Sequence, residues 1–492
     1  MKYVSSRNNQ TQVPASTALI KGLCEDGGLY TPILEDKRFD LKELLNKDYK
    51  GLAFEIISYF LDDLDKDKLK KAIDLAYNSK FDTEEITPLN ILGDLSILEL
   101  WHGRTCAFKD VALSLLPYLL QLTYEKNGLQ QKLSILTATS GDTGKAALEA
   151  FADVKHTYIT VFYPEIGVSD IQKLQMATSI GSNIEVIAVK SNFDDCQRLV
   201  KKAYSDKDIL QGLDDVILSS ANSINIGRLV PQIVYYFYAY LKLVKEGRIQ
   251  LSEEIDFFVP TGNFGDILAG YLAKKCGLPI HKLICASNSN NILTDFLHKG
   301  SYDLHRPFYT TMSPSMDILI SSNLERLLYF VLNDSDKVSS LMKQMDENGI
   351  YELDQTVLSK IQDDFDSFYA SEEECAETIR KYFFEKHVLI DPHTAVACHA
   401  YERYKDETKD ERKAVVLSTA SPFKFSSDVL HVLGKQETDP FKAMEKLSDL
   451  SGCKIPQSLS ELKDLPIRFE KAIEINKGMD TIKNRLKEIN NA

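Results

Sequence analysis

The segment WHGRTCAFKDVALSLL, residues 101–116, sets Lys109 between Phe108 and Asp110 in a run that otherwise reads as buried helix. A lysine placed this way has two uses. Its stem can lie along apolar surface while the ammonium reaches water, or burial can lower its pKa and leave the amine ready to form a Schiff base. The neighbouring residues leave both open. The second use requires Asp110 to face away from the ε-amine, because a carboxylate beside the nitrogen favours its charged form.

Three strand-to-helix junctions carry the glycines and hydroxyls that let a backbone approach an anion. In TATSGDTGKAALEA, 137–150, Gly141 and Gly144 relax the chain, Ser140 and Thr143 offer hydroxyls, and the helix start offers free N–H groups. The same string is also an ordinary turn with Asp142 or Thr143 as N-cap. In VPTGNFGDILAGY, 259–271, Gly262 and Gly265 flank Asn263 and Phe264, so the loop can curl its amides around a phosphate or serve as a plain turn. It matches neither GxxxxGK[ST] nor GxGxxG, which sets aside a nucleotide P-loop and weakens a dinucleotide site. In VVLSTASPFKF, 415–425, Ser418, Thr419 and Ser421 stand at a strand end, to meet a neutral ring nitrogen or simply to end the strand.

Between the first two junctions, Ser223 and Arg228 sit at the mouth of the most apolar helix of the chain, LVPQIVYYFYAYLKLV, 229–244. Arg228 is either a fork of donors for an anionic ligand or a helix-end arginine reaching for water. In LIDPHTAVACHAY, 389–401, Asp391 and Pro392 read as N-cap and first helical residue, which makes His393 a structural first-turn residue.

These residues need a framework, and the pattern around them supplies one. KLSILTAT (132–139), TYITVFYP (157–164), NIEVIAVK (183–190), EIDFFVP (254–260), KLICAS (282–287) and KAVVLSTAS (413–421) are strand-like runs, followed by helical segments where the alternation is clear. That alternation is the mark of an α/β protein with mostly parallel sheet. The stretch 320–385 is charged and helical, without strand signals. We expect four parts: a mostly helical N-terminal region (1–95), a smaller α/β domain with the SGDTG loop (96–230), a larger one with the GNFG loop (231–430) and a helical C-terminal tail (431–492).

A length of 492 residues fits two to four domains, and a net charge of −14 with no basic block argues against a nucleic-acid partner. An anionic substrate then needs a locally positive site built from helix N-termini and a few placed cations. The eight cysteines (24, 106, 196, 276, 285, 375, 398, 453) show no CxxC and no metal-ligand spacing, as expected of reduced thiols rather than a disulfide framework or zinc site. The start, MKYVSSRNNQTQVPAST, has neither a signal-peptide core nor a transit-peptide pattern. The apolar run 229–244 carries Pro231, Gln232 and Lys242 and is short for a membrane span, so a buried helix and a cytoplasmic, membrane-free protein are expected.

Read in order, DGGLYTP, AFKD, TATSGDTG, YPEIGVSDIQKLQM, NSINIGRLVPQ, PTGNFGDILAGY and DPHTAV resemble the motifs of the threonine synthase family. These are pyridoxal 5'-phosphate enzymes of the tryptophan-synthase-like fold (fold type II), here most similar to the longer branch known from fungi and enteric bacteria. The resemblance runs nearly end to end. It implies two three-layer α/β domains and a carbon–oxygen lyase acting on O-phospho-L-homoserine, which with water gives L-threonine and phosphate, the last step of threonine biosynthesis. A phospholyase giving 2-oxobutyrate, and a non-catalytic sensor or scaffold on the same fold, are the alternatives.

It also implies roles. Lys109 would be the Schiff-base lysine and, once released, the general base. Gly262, Asn263, Phe264 and Gly265 would bind the cofactor phosphate, and Thr419 would lie against the pyridine nitrogen. Ser140, Gly141, Asp142, Thr143 and Gly144 would line the substrate carboxylate and the cofactor 3′-oxygen, with Asp142 at the cofactor, where many fold relatives have asparagine. Ser223 and Arg228 would hold the substrate phosphate. Relatives of the long branch point to a monomer, and no metal is implied. Two departures bear on substrate choice: SPFKF, Ser421 to Phe425, stands where relatives often read His-Pro-Ala-Lys-Phe, and Ile226-Gly227 follow NSIN where an aromatic is frequent.

Overall fold

In the computed structural model of the protein the described residues are 1–492 apart from 36, 140, 166, 167, 207 and 492; the side chains at 194 and 205 are also outside it. Two parallel sheets organise the chain. The larger has six strands in the order Phe365–Tyr369, Ile280–Ser287, Ile255–Pro260, Ala414–Ser418, Leu95–Glu99, Leu89–Leu92, and only the last pair is antiparallel. The smaller has five, all parallel: Ala472–Ile473, Ile184–Val189, Thr157–Pro164, Lys132–Ala138, Val216–Ser220.

The strands are apolar on both faces because both faces are covered. Phe257, Leu283, Cys285, Val415 and Leu417 enter one hydrophobic cluster, while Phe258, Ile284, Ala286 and Val416, their alternate neighbours, enter another on the far side. The smaller sheet does the same, with Ile159, Val161 and Val186 on one side and Phe162 and Ile187 on the other. Each such large side chain taken fully from water contributes roughly 1.5–3 kcal/mol. A pattern buried on two faces fixes a strand but not its order in the sheet.

The helix Ile226–Lys245 runs through the largest cluster, capped at its start by Asn225, whose side chain accepts from the Gly227 amide. Pro231 lies inside it. Among the described residues no helix is long and apolar enough to cross a membrane. All eight cysteines are free thiols, and Cys453 alone of them is exposed.

Several expectations need correction. The segment 320–385 is not purely helical: Ile350–Glu352 pairs with Ser301–Asp303, and Phe365–Tyr369 forms an edge of the larger sheet. That edge strand, FDSFY, alternates buried and partly buried positions, but Asp366 and Ser367 put a polar residue on each face, so no apolar pattern marks it in a charged neighbourhood. Residues 1–95 include a three-stranded antiparallel sheet, Val13–Pro14, Lys2–Ser5 and Tyr30–Pro32, beside their helices. The tail is not only helical, since Ala472–Ile473 joins the smaller sheet. A division at 230 falls inside the helix Ile226–Lys245, and Leu95–Glu99 belongs to the larger sheet rather than the smaller.

Candidate active site

Strand ends from both sheets meet at one cavity, two from the middle of the larger sheet and an adjacent pair at one side of the smaller. Ile255–Pro260 and Ala414–Ser418 deliver the loops at 261–266 and 419–420 from the larger sheet, while Lys132–Ala138 and Val216–Ser220 deliver 139–143 and 222–228 from the smaller. In each sheet these strands sit where neighbours leave in opposite directions, the place where open α/β sheets bind ligands.

Lys109 opens the short helix Lys109–Leu113 and lines the cavity. Its segment is pinned to the end of the adjacent strand, for the Phe108 amide donates to the Thr419 carbonyl at 2.8 Å. The side chain is 11% exposed, and Nζ lies 4.5 Å from the centre of the Phe108 ring. Burial lowers its pKa; the Asp142 carboxylate opposes the shift, while the charges of Lys424 and Arg228 add to it. Asp110 is turned away, as a neutral amine requires. Its two oxygens accept from the Thr105 amide at 2.8 Å and the Thr105 hydroxyl at 2.7 Å.

Burial pushes the Asp110 carboxyl up to about 6, although those bonds and Lys424 pull it down. An acid whose folded pKa is raised favours the folded state below its unfolded pKa and loses that advantage as pH rises to the folded value. Asp110→Asn should therefore gain stability relative to the wild type between about pH 4 and about pH 6, by as much as about 3 kcal/mol. Thermal melts at several pH values test this, and a difference that stays constant with pH refutes it.

Neither Asp142 nor Thr143 is the N-cap expected from the sequence. Gly141 holds that position at φ 138°, and Asp142 is the first helical residue, free to point into the site. Thr139 organises the turn, its hydroxyl accepting from the amides of Gly141 and Gly144 at 2.9 and 2.8 Å. A Cβ on Gly141 would lie 2.4 Å from the Gln172 side chain, and one on Gly144 would lie 2.5 Å from Thr139 and 2.9 Å from Val161. These two glycines thus serve close packing within the smaller domain. Thr143 lines the cavity, and Ser140 lies outside the described residues.

Asp142 is the hub of a network that the sequence did not disclose. Oδ1 pairs with Lys424 Nζ and accepts from Gln172 Nε2 at 2.9 Å; Oδ2 accepts from Ser315 Oγ at 3.1 Å and faces Lys109 Nζ at 3.3 Å. Burial alone would raise its pKa, but the two cations outweigh that and hold the carboxyl well below the usual range. Lys424 is completely buried and also donates to the Thr105 carbonyl at 3.0 Å. Ser315 is fixed in turn by His393, whose Nε2 accepts from the Ser315 amide at 3.3 Å while Nδ1 meets Asp391 at 2.6 Å. Asp391 caps the helix Pro392–Thr408 as expected, but His393 also faces the cavity.

The loop at 262–265 has the form of an anion cradle. Phe264 is left-handed at φ 59°, immediately before the helix Gly265–Lys275. The Gly262 carbonyl accepts from Ser321 Oγ at 2.7 Å, and the Asn263 carbonyl accepts from the amide and side chain of Asn323, both at 3.1 Å. With the carbonyls held outward, the amides of Asn263, Phe264 and Gly265 have no protein acceptor among the described residues, the arrangement that binds phosphate.

Arg228 and Ser223 face the same cavity. Arg228 is 3% exposed and donates to the Ala221 carbonyl at 2.8 Å, and among the described residues its Nε has no partner. Burial lowers its pKa to about 10. Of the three hydroxyls at the strand end, Thr419 lines the cavity, Ser418 accepts from Trp101 and Thr394, and Ser421 accepts from the Phe423 amide at the start of the turn Pro422–Phe425.

A cavity with a mostly buried amine, an amide cradle and a buried arginine whose Nε has no partner among the described residues fits a phosphorylated carbonyl cofactor. Comparison with known sequences decides the family. Residues 84–420 match the family described as "Pyridoxal-phosphate dependent enzyme", 2–77 match "Threonine synthase N terminus" and 394–489 match "Threonine synthase, C-terminal". The chain belongs to the threonine synthase family.

Its cofactor is pyridoxal 5'-phosphate, and the fold is of the α/β class. Threonine synthase from Saccharomyces cerevisiae is 36% identical, over 96% of this chain and 97% of that protein. The crystal structure of PLP-bound threonine synthase from Brucella melitensis superposes with a TM-score of 0.87 at 35% identity, covering 100% of both chains. Human threonine synthase-like 1 is 39% identical over 86% of this chain, which spans 58% of that protein's length.

Proposed function

We propose that the protein is a threonine synthase, converting O-phospho-L-homoserine and water to L-threonine and phosphate. The observation that carries this reading is Arg228. Its buried Nε, without a partner among the described residues, belongs to a residue lining the cavity that also holds Lys109 and the amide cradle at 263–265, so the site offers places for two anionic groups. An enzyme whose cofactor and substrate both carry phosphate needs both.

In this reading Gly262, Asn263, Phe264 and Gly265 hold the cofactor phosphate, Thr419 lies against the ring nitrogen, and Lys109 holds the cofactor covalently. When bound, the cofactor withdraws electrons from the carbon next to the substrate nitrogen. The residues of the chain move the protons. Lys109 Nζ, once released from the cofactor by the substrate amine, would take the proton from the substrate Cα and return protons later; burial and the charges of Lys424 and Arg228 lower its pKa for this, against the pull of Asp142. Gly141, Thr143 and Ser140 receive the substrate carboxylate at the helix start, and Ser223 and Arg228 receive the phosphate that leaves from Cγ. Asp142 serves at the cofactor as an ion held by Lys424, not as a protonated acid. The protein acts as a cytoplasmic monomer.

The test is the organic product formed from O-phospho-L-homoserine by the PLP-loaded protein. Threonine with equimolar phosphate is expected. 2-Oxobutyrate with ammonia would move the assignment to a phospholyase, and no turnover despite borohydride trapping of the cofactor on Lys109 would leave the cofactor site standing with a different substrate.

A further inference from the structure

Arg326 is completely buried in the first turn of the helix Leu324–Leu332, and it joins backbone carbonyls from two distant parts of the chain to the side chain of Asn323, the residue before its own helix. Nε donates to the Tyr30 carbonyl at 2.9 Å, one terminal nitrogen to the Ile224 carbonyl at 2.5 Å and the other to Asn323 Oδ1. Asn323 is the residue that grips the Asn263 carbonyl twice. Ile224 follows Ser223 and precedes Asn225, the cap of the helix that carries Arg228. Tyr30 lies in the strand of the DGGLYTP motif.

The neighbouring Glu325 is taken by Arg7 and by the Ser6 hydroxyl, so the Arg326 charge is met by neutral oxygens rather than a carboxylate. A buried guanidinium in that state is costly, and a methionine or leucine would fill the space at less expense. The two loops it joins also touch. A Cβ on Gly265 would lie 3.3 Å from Asn323 Nδ2 and 3.6 Å from Ser223 Cβ.

We propose that Arg326 is a positioning residue that sets the spacing between the amide cradle at 263–265 and the segment 223–228, with the N-terminal segment as the third point of the fix. Through Asn323 it keeps the Asn263 carbonyl turned outward, and so keeps the cradle amides aimed at a phosphate. Through Ile224 it holds the segment leading to Arg228 at a fixed offset. A planar fork can serve three separate carbonyl directions at once; a lysine ammonium offers a single point.

The inference rests on the reading that the cofactor phosphate sits at 262–265, and its test separates the two. Binding of pyridoxal phosphate and of pyridoxal, which lacks the phosphate, is titrated by absorbance on the apo forms of wild type, Arg326→Lys, Asn323→Ala and Gly262→Ala. Gly262→Ala alters the cradle directly, since its Cβ would lie 3.2 Å from the Ser315 carbonyl. Arg326→Lys is expected to weaken pyridoxal phosphate about tenfold or more while changing pyridoxal less than about twofold, the size of one misaligned charge-assisted hydrogen bond. Asn323→Ala should show the same selective loss, and it carries the test if Arg326→Lys does not fold. A selective loss in Gly262→Ala alone overturns the role of Arg326. An equal loss of both ligands in the Arg326 and Asn323 variants makes Arg326 a plain packing residue. No selective loss in any variant, Gly262→Ala included, removes the phosphate from this loop and the inference with it.

Discussion

Lys424→Met is expected to lower kcat about a hundredfold and to move the rising limb of the pH–rate profile to higher pH, although Lys424 is not the residue that takes the proton. Lys109 owes its lowered pKa first to burial and then in part to the charge of Lys424, while Asp142 pulls the other way. With Lys424 gone, Asp142 has Lys109 as its cation, at 3.3 Å, and the amine is held protonated. The same variant leaves a buried carboxylate without its closest partner, at a cost of about 3–5 kcal/mol in stability. The double variant Lys424→Met, Asp142→Asn removes both charges and should recover most of the stability and return the pH limb toward its original place. Recovery of stability with the limb still displaced would mean that the pair acts on the fold alone.

Why Lys424 escaped the sequence reading is instructive. It stands between Phe423 and Phe425, the same signature of a lysine beside an aromatic that singles out Lys109, and all three side chains are buried. What the sequence lacks is the partner, because Asp142 lies 282 residues away and only the meeting of the two sheets brings them together. Strands such as Lys132–Ala138 and Ile255–Pro260 were legible because short, mainly apolar runs followed by glycine-rich turns leave little choice. The edge strand Phe365–Tyr369 was not, since Asp366 and Ser367 put a polar residue on each face. Loops rich in glycine announced where ligands could come, but Gly141 and Gly144 turned out to answer to Gln172, Thr139 and Val161. Sequence spacing marks a place of close approach and is silent about what approaches.

Arg228 supplies the other large effect, and here stability and binding should move in opposite directions. In the free protein an unpartnered buried Nε costs about 1–3 kcal/mol, while its single bond to the Ala221 carbonyl returns about 1 kcal/mol. Arg228→Met keeps the apolar stem and removes the charge, so the ligand-free variant should melt higher than the wild type by an amount equivalent to about 1 kcal/mol. The same change should raise KM for O-phospho-L-homoserine about a hundredfold, since two charge-assisted hydrogen bonds to the phosphate disappear. Inorganic phosphate separates the causes. It should raise the Tm of the wild type in proportion to ligand occupancy and leave the variant unmoved. A variant that melts lower and still responds to phosphate would make Arg228 a structural arginine, with the substrate anion held elsewhere. The expected pattern has a simple physical origin. A cation kept dry and incompletely bonded is a cost to the empty protein, and that cost is recovered only when an anion of the right size arrives.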